Sequence, residues 1–134
     1  MIPTASLLPE PRVRQHQEED LQAATMRFLD IALPPHCIAH HSPGEGQRSR
    51  RAAAQLKRSG YRRGWPDIEI IWFGHPNVFI ELKIPGGRGP SADQRLMHHR
   101  LAFCGCTVVV CRSVPEVEQQ LRGLGVPLRA TVMA

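Results

Sequence analysis

At 134 residues the chain is long enough for one domain with an ordinary core. It holds no apolar run near the ~20 residues a membrane helix needs, and Met1 to Arg14 lack a signal-peptide core, which predicts an intracellular, cytoplasmic protein with no membrane partner. Seventeen Lys and Arg against twelve Asp and Glu leave a net charge of +5, a balance that suits a polyanionic partner.

Residues 1–13, with Pro3, Pro9 and Pro11, read as an extended arm, and 14–134 as a single domain. The spacing of Leu21, Ala24, Thr25, Phe28, Leu29 and Ala32 predicts a helix over 15–32, ended by Pro34-Pro35. Cys37 to His40 reads as a short strand and Ser42 to Gly46 as a loop. The Ala- and Arg-rich stretch 47–59 reads as a second helix, with Gly60 as its stop. Ile68 to Phe73 and Val78 to Ile84 read as strands joined by a turn at Gly74-His75-Pro76-Asn77. After the Gly-rich loop 85–90, a helix starts at Ser91 with Gln94 in capping-box position, shows Leu96, Met97, Arg100, Leu101 and Cys104 inward, and stops at Gly105. Thr107 to Cys111 is continuously apolar, as in a buried strand. A last short helix begins near Ser113 and ends near Gly123. The tail beyond it, with Leu124, Val126, Leu128 and Val132, either covers its own sheet or packs on a second chain. The cysteines Cys37, Cys104, Cys106 and Cys111 form no Cys-x-x-Cys pair, so buried reduced thiols fit better than zinc or disulfides.

The strand 78–84 alternates. Val78, Ile80, Leu82 and Ile84 share one face, and Phe79, Glu81 and Lys83 the other. Glu81 and Lys83 then stand about 7 Å apart, at ~3.3 Å per residue. In a hairpin Asp67 comes level with Glu81. Converging carboxylates and a lysine suit a hard divalent cation beside a phosphate. The alternative is a solvated face on an edge strand. Glu69 shares the strand face of Asp67, either behind the site or as a surface acid.

Pro66-Asp67, a spacer and Glu81-Leu82-Lys83 resemble the PD-(D/E)XK nuclease superfamily. Arg63-Gly64-Trp65-Pro66-Asp67-Ile68, the Glu-Leu-Lys strand, and Gly89-Pro90-Ser91 through Gln94 are similar to the VRR-NUC family within it, over about residues 18–117. The resemblance implies an α/β restriction-endonuclease-like core, a mixed central sheet flanked by helices in the order α-β-β-β-α-β. It implies a metal-dependent, structure-specific DNA endonuclease acting on branched DNA such as four-way (Holliday) junctions, as in DNA repair. Flap-cutting, nicking or restriction-type cleavage, or a non-catalytic DNA-binding module, are the alternatives. Asp67, Glu81 and the Leu82 carbonyl would hold Mg²⁺ or Mn²⁺, and Lys83 would act on the attacking water. The family's further acid on the first helix, a catalytic residue and metal ligand, falls among Glu18, Glu19 and Asp20. Helical phase favours Glu18, with Gln22 one turn on, and the alternative is first-turn acids facing the helix dipole. Gln94 is either beside the site or simply the capping partner of Ser91.

Arg48, Arg50, Arg51, Lys57, Arg58, Arg62 and Arg63 lie in an acid-free stretch that abuts Asp67 and reads as a DNA-binding surface, with a solvated helix face as the alternative. Arg88, in the Gly-rich loop, is placed to reach a backbone phosphate. Paired cuts on a junction of near two-fold symmetry imply a homodimer.

Overall fold

The computed structural model describes residues 11–42 and 49–132, with side chains from His16 onward. The elements run α1 (Pro11–Ala32), β1 (Cys37–His41), α2 (Arg50–Arg58), β2 (Ile68–Trp72), β3 (Val78–Leu82), α3 (Ala92–Phe103), β4 (Thr107–Cys111) and α4 (Val114–Gly123). The strands form a four-stranded sheet in the order β1-β2-β3-β4. β1 and β3 each pair antiparallel with β2, and β4 runs parallel to β3. The expected mixed α/β core is therefore present.

One face of the sheet carries Ile68, Ile70, Trp72, Val78, Ile80 and Leu82. They pack with Leu29 and Leu33 of the α1 end and with Val117 and Leu121 of α4. The opposite face meets α3 through Phe79, Met97 and Leu101, joined by Trp65, Cys106 and Val108. β3 lies inside the sheet and is buried at every position, which rules out the solvated edge strand.

Several expectations shift. α1 begins at Pro11, so residues 11–13 are helical rather than part of an arm, and residues 1–10 lie outside those described. Proline is at home in a first helical turn, where its missing N–H has no intrahelical partner to lose. The acids at 18–20 are then well inside the helix, whose first turn has none, so the dipole account of them fails. The second helix is capped by Ser49, whose hydroxyl accepts from the Ala52 amide at 3.1 Å, and starts at Arg50. β2 ends at Trp72, leaving Phe73 exposed. β4 is an edge strand and only half-buried, with Val110 exposed, because α3 and α4 reach it from one side each and, among the described residues, no further strand pairs with it. The tail covers its own molecule. Val126 is buried, the Arg129 amide donates to Ala32 O at 2.7 Å, and the Arg129 guanidinium donates to Leu33 O at 2.9 Å. These bonds satisfy carbonyls that the end of α1 leaves open.

Candidate functional site

Each residue of the Gly-Trp-Pro-Asp segment has a separate task. Gly64 has φ +77°, and a Cβ there would lie 2.3 Å from the Asp93 carbonyl oxygen at the start of α3. Only glycine permits that approach. Trp65 meets Phe79 edge-on, with ring centroids 5.3 Å apart. Pro66 is fully buried. The chain thus arrives at Asp67 with little freedom. β2 and β3 pair Ile68 with Ile80, so the next step outward along the ladder sets Asp67 level with Glu81. Asp67 Oδ2 accepts the Leu82 amide at 2.7 Å. In a strand, both polar groups of one residue point toward the same neighbour, so the Leu82 carbonyl also leaves β3 on the Asp67 side. The Asp67 carbonyl accepts from the Ser42 amide at 2.9 Å and lies 3.1 Å from His41 Nδ1, which the Gln22 side chain also reaches.

Glu81 is 1% exposed. Its Oε1 lies 3.1 Å from His98 Nε2 on α3. Burial, then the nearby Lys83 ammonium and His99, push the His98 imidazole below the ordinary histidine range, against an opposing pull from Asp67. The shift favours the neutral ring, for which this contact is a hydrogen bond rather than an ion pair. Lys83 stands one residue past β3, half-buried, its amide donating to Cys111 O at 2.9 Å.

Lys83 also borders a cleft of about 580 Å³, whose walls include Glu18, Arg88, Ser91 and Arg95. Glu18 is one of these walls and Glu19 is not. Arg112 shapes the loop floor by donating to Ile84 O at 2.7 Å and Gly87 O at 3.2 Å. Gln94 closes the capping box, its Oε1 accepting the Ser91 amide at 2.8 Å. Glu69 is held by the Asn77 side chain at 2.9 Å and so serves the β2–β3 turn.

Of the basic residues, Arg50, Arg51, Lys57 and Arg58 are exposed on α2, a helix with no buried residue. At 100° per residue they fall within an arc of about 120°, opposite the half-buried Leu56. Arg62, Arg63 and Arg88 are exposed, and Arg63 Nε pairs with Asp93 at 3.0 Å. Arg48 lies outside the described residues. Cys104 is exposed, contrary to the expectation of buried thiols, whereas burial pushes the Cys111 thiol up to about 12.

Sequence reasoning missed His98 and Arg95. The true inner stripe of α3 is Gln94, Met97, His98 and Leu101, spaced i, i+3, i+4, i+7; Leu96 and Cys104 are exposed. Two of those four are polar, so a search for apolar spacing passes over them.

No group of three His, Cys, Asp or Glu side chains placed to hold a metal occurs among the described residues. The oxygens that could hold one here are the Asp67 and Glu81 carboxylates and the Leu82 carbonyl. All are hard oxygens, and small divalent cations commonly bind one or two carboxylates, completing their shell with water and substrate phosphate. The set fits Mg²⁺ or Mn²⁺ and does not suit a soft metal.

No protein-family model and no curated protein matches the sequence. Solved structures do match. One described as "VRR_NUC domain protein" is 21% identical, with a TM-score of 0.61 over 83% of this chain and 90% of that one. Another, "VRR_NUC domain", is 20% identical, with a TM-score of 0.52 over 79% of this chain and 95% of the other. The fold is that of a VRR-NUC domain. The described residues hold no helix long and apolar enough to cross a membrane.

Proposed function

We propose that this chain is a metal-dependent deoxyribonuclease of the VRR-NUC family. The observation that carries the reading is the meeting of Asp67, Glu81 and Lys83 at one end of the β2–β3 pair, beside a cleft bordered by Arg88 and Arg95. Asp67, Glu81 and the Leu82 carbonyl would hold Mg²⁺ or Mn²⁺. A bound ion of that kind neutralises charge at the phosphate and lowers the pKa of coordinated water.

The chain's own groups do the rest. The Leu82 amide holds Asp67 in place, and His98 holds Glu81. The Lys83 ammonium orients the attacking water and stabilises charge gathering on the phosphate oxygens. Glu18 faces the same cleft and serves as the helix acid. Gln94, one turn before His98 on α3, would act beside the site, and its capping bond is compatible with that role. Arg88 and Arg95 border the cleft and would meet the DNA backbone there, and the exposed cations of α2 offer further phosphate contacts.

Branched DNA is the substrate we favour, with four-way junctions cut in pairs by a homodimer. With the tail committed to its own molecule, support for a second copy comes from the β1–β2 face that α3 leaves bare. There Ile38 and Ile71 are cross-strand partners and, with Phe73, remain exposed.

The test is nicking of supercoiled plasmid with Mg²⁺ or Mn²⁺. Asp67→Ala and Glu81→Ala abolish cleavage while gel-shift affinity persists. Lys83→Ala loses cleavage, by about 10²–10³-fold or more for one charge-stabilising group. Wild-type rates from Asp67→Ala would remove the assignment.

A further inference from the structure

We infer that His98 is a positioning residue for the metal ligand Glu81: by donating Nε2–H to Oε1 it orients the carboxylate toward the ion and so sets the affinity of the site. The inference rests on the metal-dependent reading above and goes beyond it, because neither the Asp67/Glu81/Lys83 pattern nor the resemblance includes a residue from the middle of α3.

The geometry is specific. The Glu81 side chain is 2% exposed and that of His98 13%, so the 3.1 Å contact between them is shielded from bulk water. A buried carboxylate that must present one oxygen to a cation needs its other oxygen occupied, or the group rotates about its last torsion. His98 occupies Oε1 from the α3 side. It is itself fixed, because α3 is anchored before and after it. Ahead of it, the capping box sets the helix start and Gly64 packs against Asp93 and Gln94. On the same stripe, Met97 and Leu101 are buried against Phe79, the residue two before Glu81 on β3. Hydrogen-bonding partners of metal ligands behave this way generally, and their loss weakens metal binding by ~10–100-fold.

The test compares side chains of similar reach that differ in one property. Gln supplies an N–H donor where His98 does; Met does not. Mn²⁺ binding to the full chain, without DNA, is measured by isothermal titration calorimetry for wild type, His98→Gln, His98→Met and Glu81→Gln. His98→Gln should remain within about 3-fold of wild type, and His98→Met should weaken Mn²⁺ binding by ~10–100-fold. Equal affinities for the Gln and Met variants, whether both unchanged or both weakened, overturn the inference, since the donor is then not what matters. The parent reading fails in a different way: wild type binds no Mn²⁺, or Glu81→Gln binds it as tightly as wild type.

Discussion

At the scale of single residues, the site is held by a few close approaches that tolerate little change. Gly64 combines a left-handed backbone with a Cβ position 2.3 Å from a main-chain oxygen. Gly60 has φ +103° but open space around it. Gly64→Ala should therefore cost more than Gly60→Ala. Strain in the left-handed region is worth about 1–3 kcal/mol at either position, and Gly64→Ala must also displace the start of α3. Urea unfolding followed by circular dichroism checks the ranking, and equal losses would contradict it. A similar contrast separates the acids of α1. Glu18 lines the cleft that Lys83 borders. Glu18→Gln should impair cleavage far more than Glu19→Gln in a side-by-side nicking assay, and the reverse order would show that the helix acid is misassigned.

At the scale of elements, the outcome shows which signals a sequence carries in the open. The period-two run Val78 to Ile84 is enough to put Glu81 and Lys83 on one face, because a strand buried through one face has no other register. Asp67 comes level with Glu81 because a short turn leaves the hairpin few options. α3 is harder to read. Its inner stripe includes Gln94 and His98, and its phase is set by the capping box and the contact with Gly64, neither of which shows as apolar spacing. The start of α1 is hidden by prolines that fit a first helical turn as well as an arm. The α2 helix carries the clearest prediction at this scale. Arg50 and Lys57 lie roughly 10 Å apart along the axis at 1.5 Å per residue, and Arg51 and Arg58 repeat that spacing. Neutralising Arg50, Arg51 and Arg58 together should weaken binding to all DNA shapes alike. It should also lower the slope of log affinity against log salt by roughly one unit for each phosphate no longer neutralised. An unchanged slope would mean that α2 only faces solvent.

At the scale of the whole molecule, the described residues place one candidate site on each chain, at one end of the β2–β3 pair, with α3 over the face that carries Glu81 and the bare β1–β2 strip beside it. If that strip seats a second copy, charge placed there should break the assembly while leaving the core intact. Ile38→Asp with Ile71→Lys should turn a dimeric wild type into a monomer in sedimentation equilibrium at micromolar concentration, with unchanged thermal unfolding of the monomer fold. A wild type that stays monomeric with and without junction DNA would remove the homodimer and turn attention to nicking or flap cleavage. The central claim, that Asp67, Glu81 and Lys83 form a metal-dependent phosphodiesterase site, is tested most directly by one measurement. Wild type and Glu81→Gln are incubated with end-labelled four-way junctions, flaps and duplexes in Mg²⁺, in Mn²⁺ and in chelator, and cleavage is read on a denaturing gel. The expected result is cuts by the wild type with either ion, strongest on the junction, none in chelator, and none from Glu81→Gln although it still shifts the DNA. Cleavage by Glu81→Gln at the wild-type rate, or wild-type cleavage that persists in chelator, would contradict it.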